Sequence, residues 1–217
     1  MAKELELLRA ALNIALREWE WIETNPFWKI KIDQPKGHKE RWLTNQEEER
    51  LLSVSPQWLS EFIVFALNTG MRREELLSLT WTRVDLQRMV VILIETKNGE
   101  NRTVPLNQLA FEVLQRKSII RNISDYVFPS QNGKKIIARN LLRAFYVART
   151  KANLQDVRIH DLRHTFASRL VQAGVDLYVV KELLGHKSFK MTSRYAHHNS
   201  ESLRHGVDVL QKTKETD

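Results

Sequence analysis

A stripe of apolar residues lies along one face of a helix predicted over residues 3–22. The stripe consists of Leu5, Leu8, Leu12, Ala15, Leu16 and Trp19. Residues three and four apart share a helical face, and a lone helix cannot bury such a face by itself. The following residues, 33–41, combine proline, glycine and lysine and predict a linker. We therefore expect a helix and junction over 1–32 and a main body over 42–217.

The main body is predicted to be mainly helical. Thr44 or Asn45 can cap a first helix, and Pro56 begins a second that ends near Asn68. Alternating β-favouring residues flank Asn98-Gly99, which is the strongest hairpin signal in the chain. Further helices are predicted over 107–121, 138–151, 160–173, 176–184, 188–196 and 200–212, with a short strand over 126–128. The pattern indicates a mainly α fold with a small antiparallel β-sheet, the α+β class.

Composition excludes some kinds of site and indicates where the protein is found. The chain has no cysteine, which excludes disulfides and thiolate metal sites. Its apolar runs, 62–67 and 89–94, are far shorter than the ~20 residues of a membrane-spanning helix, so we expect a cytoplasmic protein without a membrane partner. The net charge of +8 attracts phosphate backbones or anionic lipid, and charge alone does not choose between them.

The segment H-D-L-R-H, residues 160–164, places two histidines and an arginine within one helical turn. One interpretation is that His160 and His164 are ordinary solvated helix residues. A second is a zinc site, although Asp161 stands where the metalloprotease pattern requires glutamate. The third is an anion site, because Arg163 lies three residues after His160 and can converge with it on a phosphate.

Matching groups occur elsewhere in the chain, in a fixed order. T-G-M-R-R-E-E at 69–75 brings Arg72 and Glu75 to the start of a helix, and Lys97 precedes the predicted hairpin turn. L-G-H at 184–186 ends a helix at His186, and Tyr195 follows nine residues later. Each motif is common by itself, but their order and spacing together make a specific signal.

With these motifs the chain resembles the catalytic domain of a tyrosine recombinase, the phage integrase type of site-specific recombinase, over roughly residues 42 to 205. The resemblance implies an enzyme of integration or recombination that cleaves and rejoins DNA through a covalent 3′-phosphotyrosine, without metal or ATP. The catalytic residues it implies are Arg72, Lys97, His160, Arg163, His186 and Tyr195. The supporting residues are Glu75, His164 and His197.

The roles follow from the same resemblance. Arg72 and Arg163 would clamp the phosphate oxygens, and His186 would add a hydrogen bond. Tyr195 would be the nucleophile, with His160 as the candidate for its proton. Lys97 would protonate the departing 5′ oxygen.

Some alternatives remain open in the sequence. Arg102 is a nearby alternative to Lys97, and Arg73 is adjacent to Arg72. The remaining tyrosines, Tyr126, Tyr146 and Tyr178, are interpreted as core or half-buried residues because they lie in apolar patterns.

Function and assembly also leave alternatives. A type IB topoisomerase, a non-catalytic DNA-binding module and a metal-dependent nuclease are the rival functions. Residues 1–32 resemble the end of a core-binding domain, so the chain looks truncated. The family resemblance implies two partners, which are double-stranded DNA and further copies of the chain in a tetrameric synapse on DNA. It also implies a mobile-element or prophage setting.

Overall fold

The computed structural model describes residues 2–31, 41–94, 101–119 and 124–198, with side chains from residue 4 to residue 196 of these ranges. The chain divides into two compact units, Met1–Lys39 and Glu40–Asp217. None of the helices in the described ranges combines the length and the apolar character needed to cross a bilayer.

The first unit contains α1 (Ala2–Arg17) and a 3₁₀ turn, Pro26–Lys29. α1 is shorter than predicted, since the chain leaves the helix after Arg17 and Glu20 takes a left-handed backbone conformation with φ of 54°. Asn25 closes the unit: its Oδ1 accepts a bond from the Phe27 N–H, and its Nδ2 donates to Asn13 Oδ1 at 2.7 Å. Much of the apolar stripe stays exposed, since Leu8 is 48% and Trp19 52% accessible.

The second unit contains seven further α-helices among its described residues. They are α2 (Asn45–Val54), α3 (Gln57–Thr69), α4 (Arg73–Leu77), α5 (Gln108–Ser118), α6 (Ala138–Lys151), α7 (Asp161–Gln172) and α8 (Leu177–Leu184). Three 3₁₀ turns, Trp81–Arg83, Phe189–Met191 and Ser193–His198, complete the helical part. The single helix predicted over 188–196 was therefore wrong, because these residues form two short turns.

α2 begins with a complete capping box. The Thr44 hydroxyl accepts a bond from the Glu47 N–H, and the Glu47 carboxylate accepts one from the Thr44 N–H at 2.9 Å. Glu47 also pairs with Arg41 at 2.6 Å. The hydrogen bond from Arg41 is the main reason that the pKa of Glu47 falls from 4.5 to about 2. Of the two candidate caps in the sequence, Thr44 is the one used.

The sheet has three antiparallel strands in the order β1 (Val84–Asp85), β2 (Val90–Leu93) and β3 (Arg102–Pro105). Val91 pairs with Val104, and both face the core. The predicted hairpin strands are therefore present, while the turn at Asn98-Gly99 lies outside the described residues.

Two other sequence predictions have different outcomes. Residues 126–128 form only an isolated bridge between Thr80 and Tyr126, not a strand of a sheet. The helix predicted over 200–212 lies outside the described residues.

The core is centred on α3, which packs against α5 and α7. α3 is buried on most of its sides, with Leu59, Phe62, Ile63 and Phe65 at 0% exposure. Each such side chain stabilises the fold by about 1.5–3 kcal/mol relative to an exposed position. A second cluster joins α7 and α8 to the last turn through Ala167, Val171, Val180, Leu184 and Tyr195. This second cluster brings three of the predicted motifs together.

Candidate active site

Arg72 is held at the start of α4 by Glu75. α3 ends at Gly70, whose left-handed φ of 61° turns the chain towards α4. The Glu75 carboxylate accepts a bond from the Arg72 backbone N–H at 2.7 Å and another from Arg72 Nη1 at 2.9 Å. Arg72 Nη2 donates to the Gly185 carbonyl at 2.9 Å. One carboxylate therefore orients both the main chain and the guanidinium of Arg72.

Arg163 lies in the interior of the same site, 5% exposed. Its Nη1 donates to the Gly70 carbonyl and its Nη2 to the Leu184 carbonyl, each at 2.7 Å. Burial is the main reason that the pKa of Arg163 falls to about 9, and the charges of Arg72 and Arg102 lower it further. Arg163 remains a cation at neutral pH, and it reaches the peptide next to the one that Arg72 contacts.

Arg102 is a third guanidinium in this cluster, and the sequence motifs did not assign it a site role. From the start of β3 its Nη1 donates to the Leu184 carbonyl at 2.7 Å, and its Nη2 donates to Glu75 at 2.8 Å. Burial lowers the pKa of Arg102 first, and the neighbouring Arg72 also lowers it, while Glu75 raises it. In the sequence, Arg102 was named only as a nearby alternative to Lys97.

His186 follows the left-handed Gly185 that ends α8, and it is 8% exposed. Its Nδ1 shares a hydrogen bond of 2.8 Å with the hydroxyl of the fully buried Thr192. Burial, followed by the charges of Arg163 and Arg72, lowers the pKa of His186 from 6.5 to about 3. His186 is therefore neutral at pH 7, and Thr192 fixes the orientation of its ring.

Tyr195 is almost completely buried, at 2% exposure, in the turn Ser193–His198. Its hydroxyl shares a 2.6 Å hydrogen bond with Nδ1 of His164, and the two ring centres are 5.9 Å apart. Negative charge on the Tyr195 oxygen raises the pKa of Arg163, so these groups interact electrostatically. Tyr146 and Tyr178 are 58% and 62% exposed, which corrects their interpretation as core or half-buried residues.

His160 lies at the N-terminus of α7, beside His164. The two rings meet edge to face with centres 4.8 Å apart. His160 is exposed as a whole, although neighbouring groups cover part of its ring. This partial desolvation, followed by the charge of Arg163, lowers the pKa of His160 below 6.5. His160, Arg72 and Lys135 line a cleft of about 530 Å³ that is open to solvent. The first histidine of the H-x-x-R-H motif thus faces the cleft, and the second contacts Tyr195.

Two predicted site residues are not placed. Lys97 lies in 95–100, outside the described residues, and the side chain of His197 also lies outside them. The structure brings the other predicted residues together from α4, α7, α8 and the last turn.

The zinc interpretation of the histidines has no supporting geometry. Within residues 2–31, 41–94, 101–119 and 124–198, no three His, Asp or Glu side chains come close enough to hold a metal ion. Nδ1 of His164 is engaged by Tyr195, and Nδ1 of His186 by Thr192.

Comparison with known proteins agrees with the sequence motifs. The phage integrase family model matches residues 41–202, and the chain belongs to this family. The integrase of Salmonella phage P22 is 36% identical over 209 residues, which cover 90% of this chain and 53% of that protein. Tyrosine recombinase XerC of Bacillus subtilis strain 168 is 31% identical over 94% of this chain and 72% of that protein. The predicted family resemblance is thereby confirmed.

Solved structures confirm the predicted fold class. A Tn1549 transposon integrase in complex with circular intermediate DNA is 26% identical, with a TM-score of 0.74 over 89% of this chain and 73% of that one. A lambda integrase dimer bound to a core site is 25% identical, with a TM-score of 0.72 over 89% of this chain and 73% of that one.

The shufflon-specific DNA recombinase of Escherichia coli is matched, at 33% identity, over 96% of this chain and 53% of its own length. The chain therefore spans about half the length of the P22 integrase and of the shufflon recombinase.

Proposed function

We propose that this chain is the catalytic part of a site-specific DNA recombinase or integrase of a mobile element or prophage. It would cleave and rejoin DNA strands through a covalent 3′-phosphotyrosine at Tyr195. The observation that carries the proposal is the convergence of Arg72 and Arg163, from different helices, on the adjacent carbonyls of Gly185 and Leu184.

The paired guanidiniums suit a phosphodiester as substrate. Negative charge develops on the nonbridging oxygens in the transition state, and preorganised cations stabilise it. Arg72 keeps 25% of its side-chain surface accessible and lines the open cleft, so a DNA phosphate can reach it. Arg163, held from behind by two carbonyls, supplies a second fixed charge. Neutral His186 adds a hydrogen bond to the same phosphate.

The nucleophile needs help to lose its proton. An ordinary phenol has a pKa near 10 and is a poor nucleophile at neutral pH until its proton is removed. His164 Nδ1 can accept that proton through its hydrogen bond to the Tyr195 hydroxyl when Nδ1 itself carries no proton. His160, in edge contact with His164, remains the family's candidate acceptor and would receive the proton through His164 or directly.

The bond changes balance without a cofactor. The Tyr195 oxygen attacks phosphorus, the bond from phosphorus to the 5′ oxygen breaks, and the departing oxygen takes a proton that we assign to Lys97. A 5′ hydroxyl of a second strand can then attack the phosphotyrosine and release Tyr195. Neither metal nor ATP is required for this sequence.

The substrate and the assembly follow the same proposal. Double-stranded DNA is the partner, encountered in the cytoplasm, and recombination would take place in a tetrameric synapse of several copies. The net charge of +8 favours this partner. Because binding releases counterions from DNA, the affinity should fall steeply as salt is added. A DNA affinity that does not change with ionic strength would contradict this mode of binding.

A nicked suicide duplex tests the proposed chemistry directly. The chain is incubated with the duplex in EDTA, and a covalent protein–DNA complex is sought on a denaturing gel. We expect a complex with the wild-type chain and with Tyr178→Phe, which removes an exposed phenol, and no complex with Tyr195→Phe. Cleavage only with added divalent metal would support the nuclease instead. Relaxation of supercoiled DNA without strand exchange would support the topoisomerase, and binding without any complex would support the non-catalytic module.

A further inference from the structure

Arg102 shares both of its acceptors with the two proposed phosphate-binding arginines. It donates to the Leu184 carbonyl that Arg163 also contacts, and to the Glu75 carboxylate that Arg72 also contacts. Each of these bonds is between 2.7 and 2.9 Å long. Arg102 is therefore the side chain that connects the acceptor of one guanidinium to the acceptor of the other.

Arg102 is less exposed than Arg72 and, unlike Arg72, does not line the open cleft. Its side chain is 11% exposed, compared with 25% for Arg72. Its guanidinium lies against Gly185, where a β-carbon would be 2.2 Å from Nη1 and 2.8 Å from Cδ. Both terminal nitrogens donate to protein acceptors, as those of Arg72 and Arg163 also do. Arg102 differs in its acceptors, which are the carboxylate that orients Arg72 and the carbonyl that contacts Arg163.

We infer that Arg102 is a positioning residue, which sets the separation and direction of the Arg72 and Arg163 guanidiniums by holding Glu75 and the Leu184 carbonyl in place. This inference rests on the proposed function, since it concerns the geometry of the same phosphate site.

The chemistry of the guanidinium explains why arginine is needed here. Its planar fork donates in two fixed directions, whereas a lysine ammonium is a point charge that cannot reproduce this geometry. The Leu184 carbonyl lies at the C-terminal end of α8, which carries partial negative charge and favours a cation. Arg102 also stands at the first residue of β3. It therefore ties the base of the predicted Lys97 hairpin to α8 and to Glu75.

Arg102→Lys is the informative variant, because it keeps the charge and removes the fork. The matched control is Arg169→Lys on α7, where Arg169 likewise joins a carboxylate, Glu48, to a main-chain carbonyl, that of Leu43. For both variants we would measure the single-turnover rate of covalent complex formation on the suicide duplex and the Kd for the same duplex. Circular dichroism at the assay temperature gives the folded fraction used to normalise the rates.

We expect Arg102→Lys to slow cleavage per folded molecule by about 30-fold or more, which is about 2 kcal/mol in the barrier. Its Kd for the duplex should change by less than about threefold, since the charge is kept. Arg169→Lys should stay within about threefold of wild type in both quantities. A merely structural role would lower the folded fraction and leave the normalised rate unchanged.

The inference is overturned if the wild type cleaves and Arg102→Lys cleaves within about threefold of it per folded molecule. It is also overturned if the rate loss comes entirely from weaker DNA binding. Absence of a covalent complex with the wild type would refute the proposed function separately. In that case, binding of inorganic phosphate by calorimetry decides the role of Arg102: weakening by more than about threefold in Arg102→Lys supports it, and equal binding overturns it.

Discussion

Replacing Gly185 by alanine should reveal how tightly the site is built around Arg102. Gly185 has a φ of 62°, in the left-handed region that side chains with a β-carbon rarely adopt. The added methyl group would lie 2.2 Å from Arg102 Nη1 and 3.0 Å from its Cζ. Since these contacts are too short, the Arg102 guanidinium must move away from Leu184 and Glu75.

The expected cost has two parts. The left-handed backbone costs about 1 kcal/mol for alanine. Displacing Arg102 breaks two hydrogen bonds that involve charged groups, each with a net contribution of about 1.5–3 kcal/mol, and part of this is recovered when the guanidinium reaches water. We therefore expect Gly185→Ala to lower the free energy of unfolding by about 3 kcal/mol.

Urea denaturation measures this value, and Gly174→Ala is the matched control. Gly174 has a φ of 82° but has no atom within 4 Å of an added β-carbon, so its substitution should cost only the backbone part, about 1 kcal/mol. In an Arg102→Ala background the methyl group meets no guanidinium, and Gly185→Ala should cost the same as Gly174→Ala. The double-mutant cycle isolates the contact between positions 185 and 102.

Equal costs for Gly185→Ala and Gly174→Ala in the otherwise wild-type chain would refute this reasoning. So would a cost of Gly185→Ala that is unchanged after removal of Arg102. Either result would mean that the Arg102 side chain does not occupy the space above Gly185.

Three further predictions concern single groups. Tyr195→Phe should abolish the covalent complex and lower stability by about 1 kcal/mol, because His164 loses a buried partner; urea unfolding checks this, and an unchanged midpoint would contradict it. The pKa of His186 is lower in the folded chain than in the unfolded chain, so between about pH 6.5 and 3 the unfolded chain binds more protons. The free energy of unfolding should therefore fall as pH drops from 6.5 towards about 3. Unfolding takes up at most one proton at this residue, so the slope is at most about 1.4 kcal/mol per pH unit. His186→Asn should lose this slope in unfolding experiments at several pH values, and a retained slope would assign it to other groups. The pKa of Glu47 is also lowered, so its contribution is present above pH 4.5 and lost towards pH 2. Glu47→Gln should therefore destabilise the chain by about 0.5–1 kcal/mol at pH 7 and have little effect near pH 2, as thermal unfolding at the two pH values would show.

The amino-acid sequence predicted the helices with strong local signals. α6 was expected over 138–151 and is observed over Ala138–Lys151, and α2 is capped by Thr44, one of the two candidate caps. The prediction was less accurate where the local signal was ambiguous. Helical periodicity over 188–196 corresponds to 3₁₀ turns, and Tyr146 and Tyr178 in apolar patterns are exposed. Apolar spacing alone does not reveal which face of a helix finds a neighbour.

The site residues were indicated by their order and spacing, because the motifs that carry the chemistry are local in the chain. The partners of those residues were decided only by the tertiary structure. Arg72 meets Gly185 across 113 residues, and Arg163 meets Gly70 across 93. The bond between His164 and Tyr195 and the second attachment of Glu75 to Arg102 likewise depend on how α7, α8 and β3 pack. Hydrogen bonds form only when donor and acceptor lie within about 3 Å. The sequence shows which donors and acceptors are present, but only the packing of the elements brings them within hydrogen-bond distance.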